Sequence, residues 1–384
     1  MFDTIIPRKN SGCFKHDGLN MTYGRDDIIP LWVADMDFAV APQIIEALEC
    51  RLNHPIFGYN LIKDDFYQAA IKWQIEKHDF DIAKGNIIAV PSLMTALAIT
   101  VLTQTEVDDH ILIQTPVYPP FFTSVTGHKR KLLTNELINN DGYYEIDWAD
   151  FEEKAKQAKM FILCNPHNPV GRVFTIDELS RMNEICAKYD VIIFSDEIHA
   201  DLVYEPHEHF PIGKLGYEQV ITGISPAKSF NLAGMATGIM HTLNDDIAKE
   251  LNTMNRGLHT FMGNSFGLAA FTAAFGESEE WHAALMDYLK ANCDFLVYYI
   301  QREIPQIKVR ACEGTYLAWL NCSELGMEDD KMSKFFVDKA RVALNPGTNF
   351  GKEGSGFMRL NFATQRTVLE EGLERIKNSI REII

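Results

Sequence analysis

Five short apolar, β-branched runs punctuate the first two-thirds of the chain: IIAV (87–90), ILIQ (111–114), MFILC (160–164), VIIFS (191–195) and VITGI (220–224). Each is apolar at successive positions instead of alternating, the pattern of a strand covered on both faces in a parallel sheet. Helical periodicity falls between several of them. Over residues 176–189, Leu179, Met182, Ile185 and Cys186 share one face, and Thr175 stands ahead of them as a predicted N-cap. Strand-helix alternation of this kind predicts a mainly parallel, doubly wound α/β sheet.

From about Glu279 the texture changes. A long helical pattern runs through Trp281, Leu285, Leu289, Phe295 and Tyr299 until Pro305. Strand-like YLAWL (316–320) and FMRLNF (357–362) follow, then a final helix from about Thr367. That mixed order predicts a smaller α+β domain. A chain of 384 residues exceeds what one core usually organises. The expected division is a large domain over 46–279 and a small one built from 1–45 and 280–384.

Composition narrows the function. Hydrophobic residues make up 46% and charged residues 23%, the balance of a soluble globular protein. A net charge of -17 argues against nucleic acid and against anionic membrane surfaces. The seven cysteines are odd in number, irregularly spaced and without a CxxC pair, so neither a disulfide framework nor a bound metal is expected. The first residues, MFDTIIPRKNSGCF, hold no apolar run of signal-peptide length, and no membrane span follows. The expected location is cytoplasmic.

The polar residues of interest sit where predicted strands end, which is where open α/β sheets bind ligands. MFILC runs into Asn165-Pro166-His167-Asn168-Pro169-Val170-Gly171, VIIFS into Asp196-Glu197-Ile198-His199, and VITGI into Ser225-Pro226-Ala227-Lys228. Taken singly, these read as a turn, a helix cap and a solvated lysine. Taken together, three strands deliver an amide, a carboxylate and an amine to one rim.

With these motifs in order, the chain resembles the fold-type I pyridoxal-phosphate enzymes, of aspartate-aminotransferase-like fold. More narrowly it resembles the cystathionine β-lyases and C-S lyases of the MalY/PatB group. PLWVADMDF (30–38), FGYN (57–60), TPVYPPF (115–121), CNPHNPVGR (164–172), SDEIHADLVY (195–204), SPAKSFNLAG (225–234) and MRLNFAT (358–364) carry the likeness.

The resemblance implies roles residue by residue. Lys228 holds the cofactor as a Schiff base and, once displaced by a substrate amine, takes the α-proton. Asp196 partners the pyridine nitrogen, so that the ring acts as an electron sink. Asn168 donates to the ring oxygen, and Tyr118 stacks on the ring, where composition alone would allow a core tyrosine in a proline-rich turn. His199 lies three residues after Asp196, where many relatives have a tyrosine; a helix-surface histidine is the alternative. The phosphate is assigned to the helix start at Ser92, with the amides of Leu93 and Met94, to Ser225, and to Tyr59 from a neighbouring subunit. Many relatives carry an arginine soon after the lysine, and 229–238 has none. Arg359 grips the substrate carboxylate bidentately, with a surface ion pair as the alternative, and the Ala34 backbone lies close to that carboxylate. Asp35 and Asp37 are expected to be structural, and His207 and His209 to be loop residues.

The implied reaction is α,β-elimination on L-cystathionine, L-cysteine or a related S-substituted cysteine, giving a thiol, pyruvate and ammonia. Tyr118 is a candidate to assist the leaving thiolate. The implied setting is amino-acid metabolism, including methionine biosynthesis. An aminotransferase on the same scaffold is the alternative, and a regulator that kept the fold is a third. The last predicts loss of Lys228, Asp196 or Arg359, and all three are present. A homodimer with shared sites is expected, with Tyr59 and the segment around Asn264 crossing.

Overall fold

A computed structural model describes residues 1–383. Its centre is a seven-stranded sheet: β1 (Ile87–Val90), β2 (His110–Thr115), β3 (Lys131–Glu136), β4 (Ala158–Cys164), β5 (Ile192–Asp196), β6 (Val220–Ile224) and β7 (Gly238–Thr242). The spatial order is β1-β7-β6-β5-β4-β2-β3. All neighbours run parallel except β7, which is antiparallel to both β1 and β6. The five apolar runs are five of these strands. β3 and β7 were not expected: KLLTNE sets two leucines among four polar residues, too polar for a strand covered on both faces, and GIMHT carries a histidine. Both are consistent with their places, since β3 pairs on one side only and His241 of β7 is buried.

Local chemistry sets the helices that matter for the site. These are α1 (Asp64–His78), α2 (Leu93–Gln104), α3 (Ile176–Lys188), α4 (Pro226–Ser229), α5 (Glu279–Glu303) and α6 (Arg366–Arg381). The Ser92 hydroxyl caps α2 by accepting from the Thr95 N–H. Thr175 and Glu178 form a reciprocal capping box on α3, whose Leu179, Met182, Ile185 and Cys186 are buried as the periodicity predicts. Apolar layers cover both faces of the sheet, one joining Leu97, Ile113, Met160 and Phe194, the other Phe161, Leu163, Leu179 and Ile193.

A second sheet orders β8 (Leu317–Asn321), β9 (Asn345–Pro346) and β10 (Phe357–Asn361) as β8-β10-β9, all antiparallel. The long helix α5 and the last helix α6 pack on each other and share an apolar core with it. Ile29 and Pro30, far upstream, pair in parallel with Val342 and Ala343. Among the described residues, no helix is long and apolar enough to cross a membrane, and no group of three or more ligating side chains could hold a metal ion.

Candidate active site

The C-terminal ends of β1, β4, β5 and β6 open on a single cavity. Its lining includes Ala34, Ser92, Leu93, Met94, Tyr118, Cys164, Asn168, Asp196, His199, Ser225, Lys228 and Thr237. About 160 Å³ is open inside, far more than the roughly 10–15 Å³ one water needs. Of the eleven predicted site residues, nine therefore line one space. Arg359 bonds to its wall, and Tyr59 stands apart on the surface.

Lys228 sits in the short helix α4, just after the Ser225 N-cap. Its amine donates to the Ala34 carbonyl at 2.6 Å. Burial, with the nearby Arg359 charge, pulls it down to about 8, so an appreciable share is neutral near physiological pH. Asp196 ends β5 and is buried; its carboxylate accepts the Ile198 N–H at 3.1 Å. Desolvation pushes it up to about 6 against that bond and the Lys228 charge, with Glu197 adding to the rise. His199 is buried, not on a helix surface, and its Nδ1 has no partner among the described residues. Burial holds it well below the usual imidazole range, hence neutral. Burial likewise raises Tyr118, which keeps its phenol proton.

Arg359, on β10, is 5% exposed and makes no ion pair among the described residues. Its guanidinium donates to Asn168 Oδ1 at 3.1 Å, to the Trp32 carbonyl at 3.0 Å and to Asn345 Oδ1 at 2.7 Å, and lies over the Phe350 ring. Nε has no partner, and desolvation pulls the group down to about 10. A buried cation held only by neutral acceptors is a receptor for an anion. The surface-pair alternative is excluded.

The Ser225 hydroxyl donates to the Thr237 carbonyl at 2.8 Å and accepts from the Ala227 N–H, so its proton is already engaged. Ser92 at the head of α2 offers a cap whose first amides, those of Leu93 and Met94, flank the cavity. Tyr59 is 95% exposed and does not line its own chain's cavity. Asn264 bonds within its own chain, to the Gly267 N–H and the Met235 carbonyl.

The segment 32–38 shows what sequence reasoning missed. It has no regular structure, yet every carbonyl from Trp32 to Phe38 accepts a side-chain donor. The donors are Arg359, Asn361, Lys228 with Tyr316, Asn361 with Lys15, Arg8 with Asn231, Gln365, and Asn231 again. An irregular buried segment must satisfy its backbone in this way. The Asp35 and Asp37 carboxylates pair with Arg8 and the fully buried Lys15, as the structural reading of both expected. Tyr316, unforeseen, shares the Ala34 carbonyl with Lys228. Its signal in the sequence was only a tyrosine opening an apolar strand. His209 lies in an irregular loop, as the sequence reading has it, with its side chain packed inside against Glu197.

The sequence profile of the aminotransferase class I and II family matches residues 26–376. The cystathionine β-lyase PatB of Bacillus subtilis is 35% identical, over 99% of both chains. Cystalysin of Treponema denticola, whose structure contains pyridoxal 5'-phosphate, superposes with a TM-score of 0.96 at 33% identity, over 100% of this chain and 99% of its own. The pyridoxal-phosphate-bound C-S lyase of Staphylococcus hominis gives 0.93 at 32%, over 99% and 98%.

Proposed function

The chain belongs to the aminotransferase class I and II family, and on that premise we propose that it is a pyridoxal-phosphate-dependent β-lyase. It cleaves the carbon–sulfur bond of L-cystathionine, L-cysteine or a related S-substituted cysteine, leaving a thiol, pyruvate and ammonia. One observation carries the reading: a buried amine pulled down to about 8, Lys228, shares its surroundings with a buried guanidinium, Arg359, that has no anionic partner among the described residues.

The residues present fit the cofactor. The orphaned Nδ1 of His199 and the sparsely bonded carboxylate of Asp196 are polar groups that a protein seals in only with a partner to come. The Leu93 and Met94 amides that open α2 suit a phosphate. Ser225 is the weakest of the assigned phosphate groups, because its hydroxyl is spent on Thr237.

When bound, pyridoxal phosphate supplies an aldehyde for an amine and a protonated ring that draws electrons from the substrate α-carbon. Asp196 would hold the proton on the ring nitrogen. Asn168, its Oδ1 occupied by Arg359, has its amide N–H groups left for the ring oxygen. Tyr118 would cover the ring face. Arg359 orients the substrate by its carboxylate. Lys228 takes the α-proton at Nζ, and the Ala34 carbonyl accepts from the ammonium that results. Tyr118, protonated at working pH, is the donor for the departing thiolate.

A homodimer with shared sites is part of the proposal. Ile56, Phe57, Tyr59 and Leu61 form an exposed apolar run that asks for cover, and Tyr59 would reach the partner's phosphate site. The reaction itself is tested with L-cystathionine and no keto acid. Many turnovers of pyruvate and thiol support the lyase; a single conversion per site, renewed only by a keto acid, makes it an aminotransferase.

A further inference from the structure

The Ala34 carbonyl takes two side-chain donors, Lys228 Nζ at 2.6 Å and the Tyr316 hydroxyl at 2.9 Å. A carbonyl oxygen has two lone pairs, so the two bonds fill it. The flanking carbonyls of Val33 and Asp35 both accept from the Asn361 amide at 2.6 Å. Along the irregular segment 32–38, Ala34 alone is held by a nitrogen that the chemistry takes away.

Tyr316 is placed to stay. It is fully buried, with its ring edge-on to His199 at 6.0 Å. Burial holds the phenol well above its usual range, so the hydroxyl keeps the proton it donates. The backbone before it is compelled. Thr315 has φ 69°, a left-handed conformation that a β-branched residue adopts only when its surroundings force it. The Thr315 N–H donates to the Leu202 carbonyl at 2.7 Å, and its carbonyl accepts from the Tyr204 hydroxyl at 2.7 Å. The Phe362 N–H donates to the Tyr316 carbonyl at 3.0 Å.

Lys228 cannot stay. When its amine condenses with an aldehyde, both amine protons leave with the aldehyde oxygen as water and a carbon–nitrogen double bond forms. Nζ then has no proton left for Ala34. A carbonyl stripped of its partners in a filled cavity costs about as much as a lost hydrogen bond.

We propose that Tyr316 is a positioning residue for the cofactor lysine: as the second, permanent donor to the Ala34 carbonyl, it lets Lys228 leave for the cofactor and return without stranding that carbonyl. This rests on the Schiff-base role given to Lys228 above. Tyr316 acts through Ala34, not on the reacting atoms.

Two double-mutant cycles between Tyr316→Phe and Lys228→Met test it. The first reads the dissociation constant for pyridoxal phosphate. With Lys228 present, Tyr316→Phe should weaken binding about tenfold, because the departing amine then strands the carbonyl. In the Lys228→Met background nothing departs, and the effect should stay below about threefold. The second cycle reads urea unfolding of cofactor-free protein. Each single variant leaves Ala34 one donor and the double variant leaves none. The double variant should therefore lose about tenfold more in the unfolding equilibrium constant than the singles combined. Failure of the double variant alone to fold is the extreme of that result. Equal weakening of cofactor binding in both backgrounds, or none in either, overturns the inference, and so does additivity in unfolding. A Tyr316→Phe protein that does not fold also contradicts it, since Lys228 still serves the carbonyl there. A wild type that binds no pyridoxal phosphate sinks the reading of the site instead, a failure told apart by the unfolding cycle, which needs no cofactor.

Discussion

Arg359 Nη1 donates to Asn168 Oδ1 at 3.1 Å. The group assigned to the substrate carboxylate therefore holds the group assigned to the cofactor ring oxygen, although 191 positions separate them. Asn168 arrives on the loop after β4 and Arg359 on β10 of the second sheet, so the contact spans the two sheets.

Arg359→Lys tests that link. A lysine cannot serve Asn168, Asn345 and a carboxylate from one planar fork. Losing a charge-assisted bond of about 1.5–3 kcal/mol should lower kcat/KM roughly 10- to 150-fold. Because Asn168 loses its anchor, cofactor affinity should fall as well. Kinetics together with equilibrium dialysis check both, and an effect on KM alone would argue that the link is incidental.

The depressed amine predicts a stability trade. Lys228 falls to about 8 from 10.5 on burial. A lysine with a lowered folded pKa costs the fold stability below about 8, and the cost disappears as pH rises toward 10.5. In cofactor-free protein, Lys228→Met should therefore gain up to about 3 kcal/mol near pH 7. The gain should shrink steadily above pH 8. Urea unfolding across that range measures it; a gain that ignores pH would place its origin in packing instead.

Shared sites predict complementation. Lys228→Ala and Tyr59→Phe subunits, each inactive alone, should regain part of the activity when refolded together. If the mixture stays inactive, Tyr59 acts in its own chain or has no role.

Asn231 tests the fixed segment. It sits at φ 57° and bonds the Met36 N–H, the Met36 carbonyl and the Phe38 carbonyl. Asn231→Ala removes all three and should cost about 2–4 kcal/mol, read by denaturant unfolding. Stability within error of wild type would mean the segment is held by its other donors.

Much of this was legible beforehand, for physical reasons. Strands buried on both faces are written as unbroken apolar runs, so five of seven were plain. Motif residues at strand ends are local in sequence, and Asn168, Asp196 and Lys228 could be placed on one rim by strand order alone. Contacts made by distant residues with backbone carbonyls leave no local mark. Tyr316, Asn361 and Arg8 all act in that way, and none was foreseen; Asn345, which accepts from Arg359, leaves as little mark. The loop at His209 is legible but its burial is not, since a buried histidine in an irregular loop looks like any loop histidine until its carboxylate partner, Glu197, is known.

The most direct measurement reduces the protein with borohydride after adding pyridoxal phosphate, digests it and locates the modified peptide by mass spectrometry. The account predicts a single pyridoxyl adduct, on Lys228, and its loss in Lys228→Ala. An adduct at another lysine, or none under conditions where the protein is folded, would contradict it.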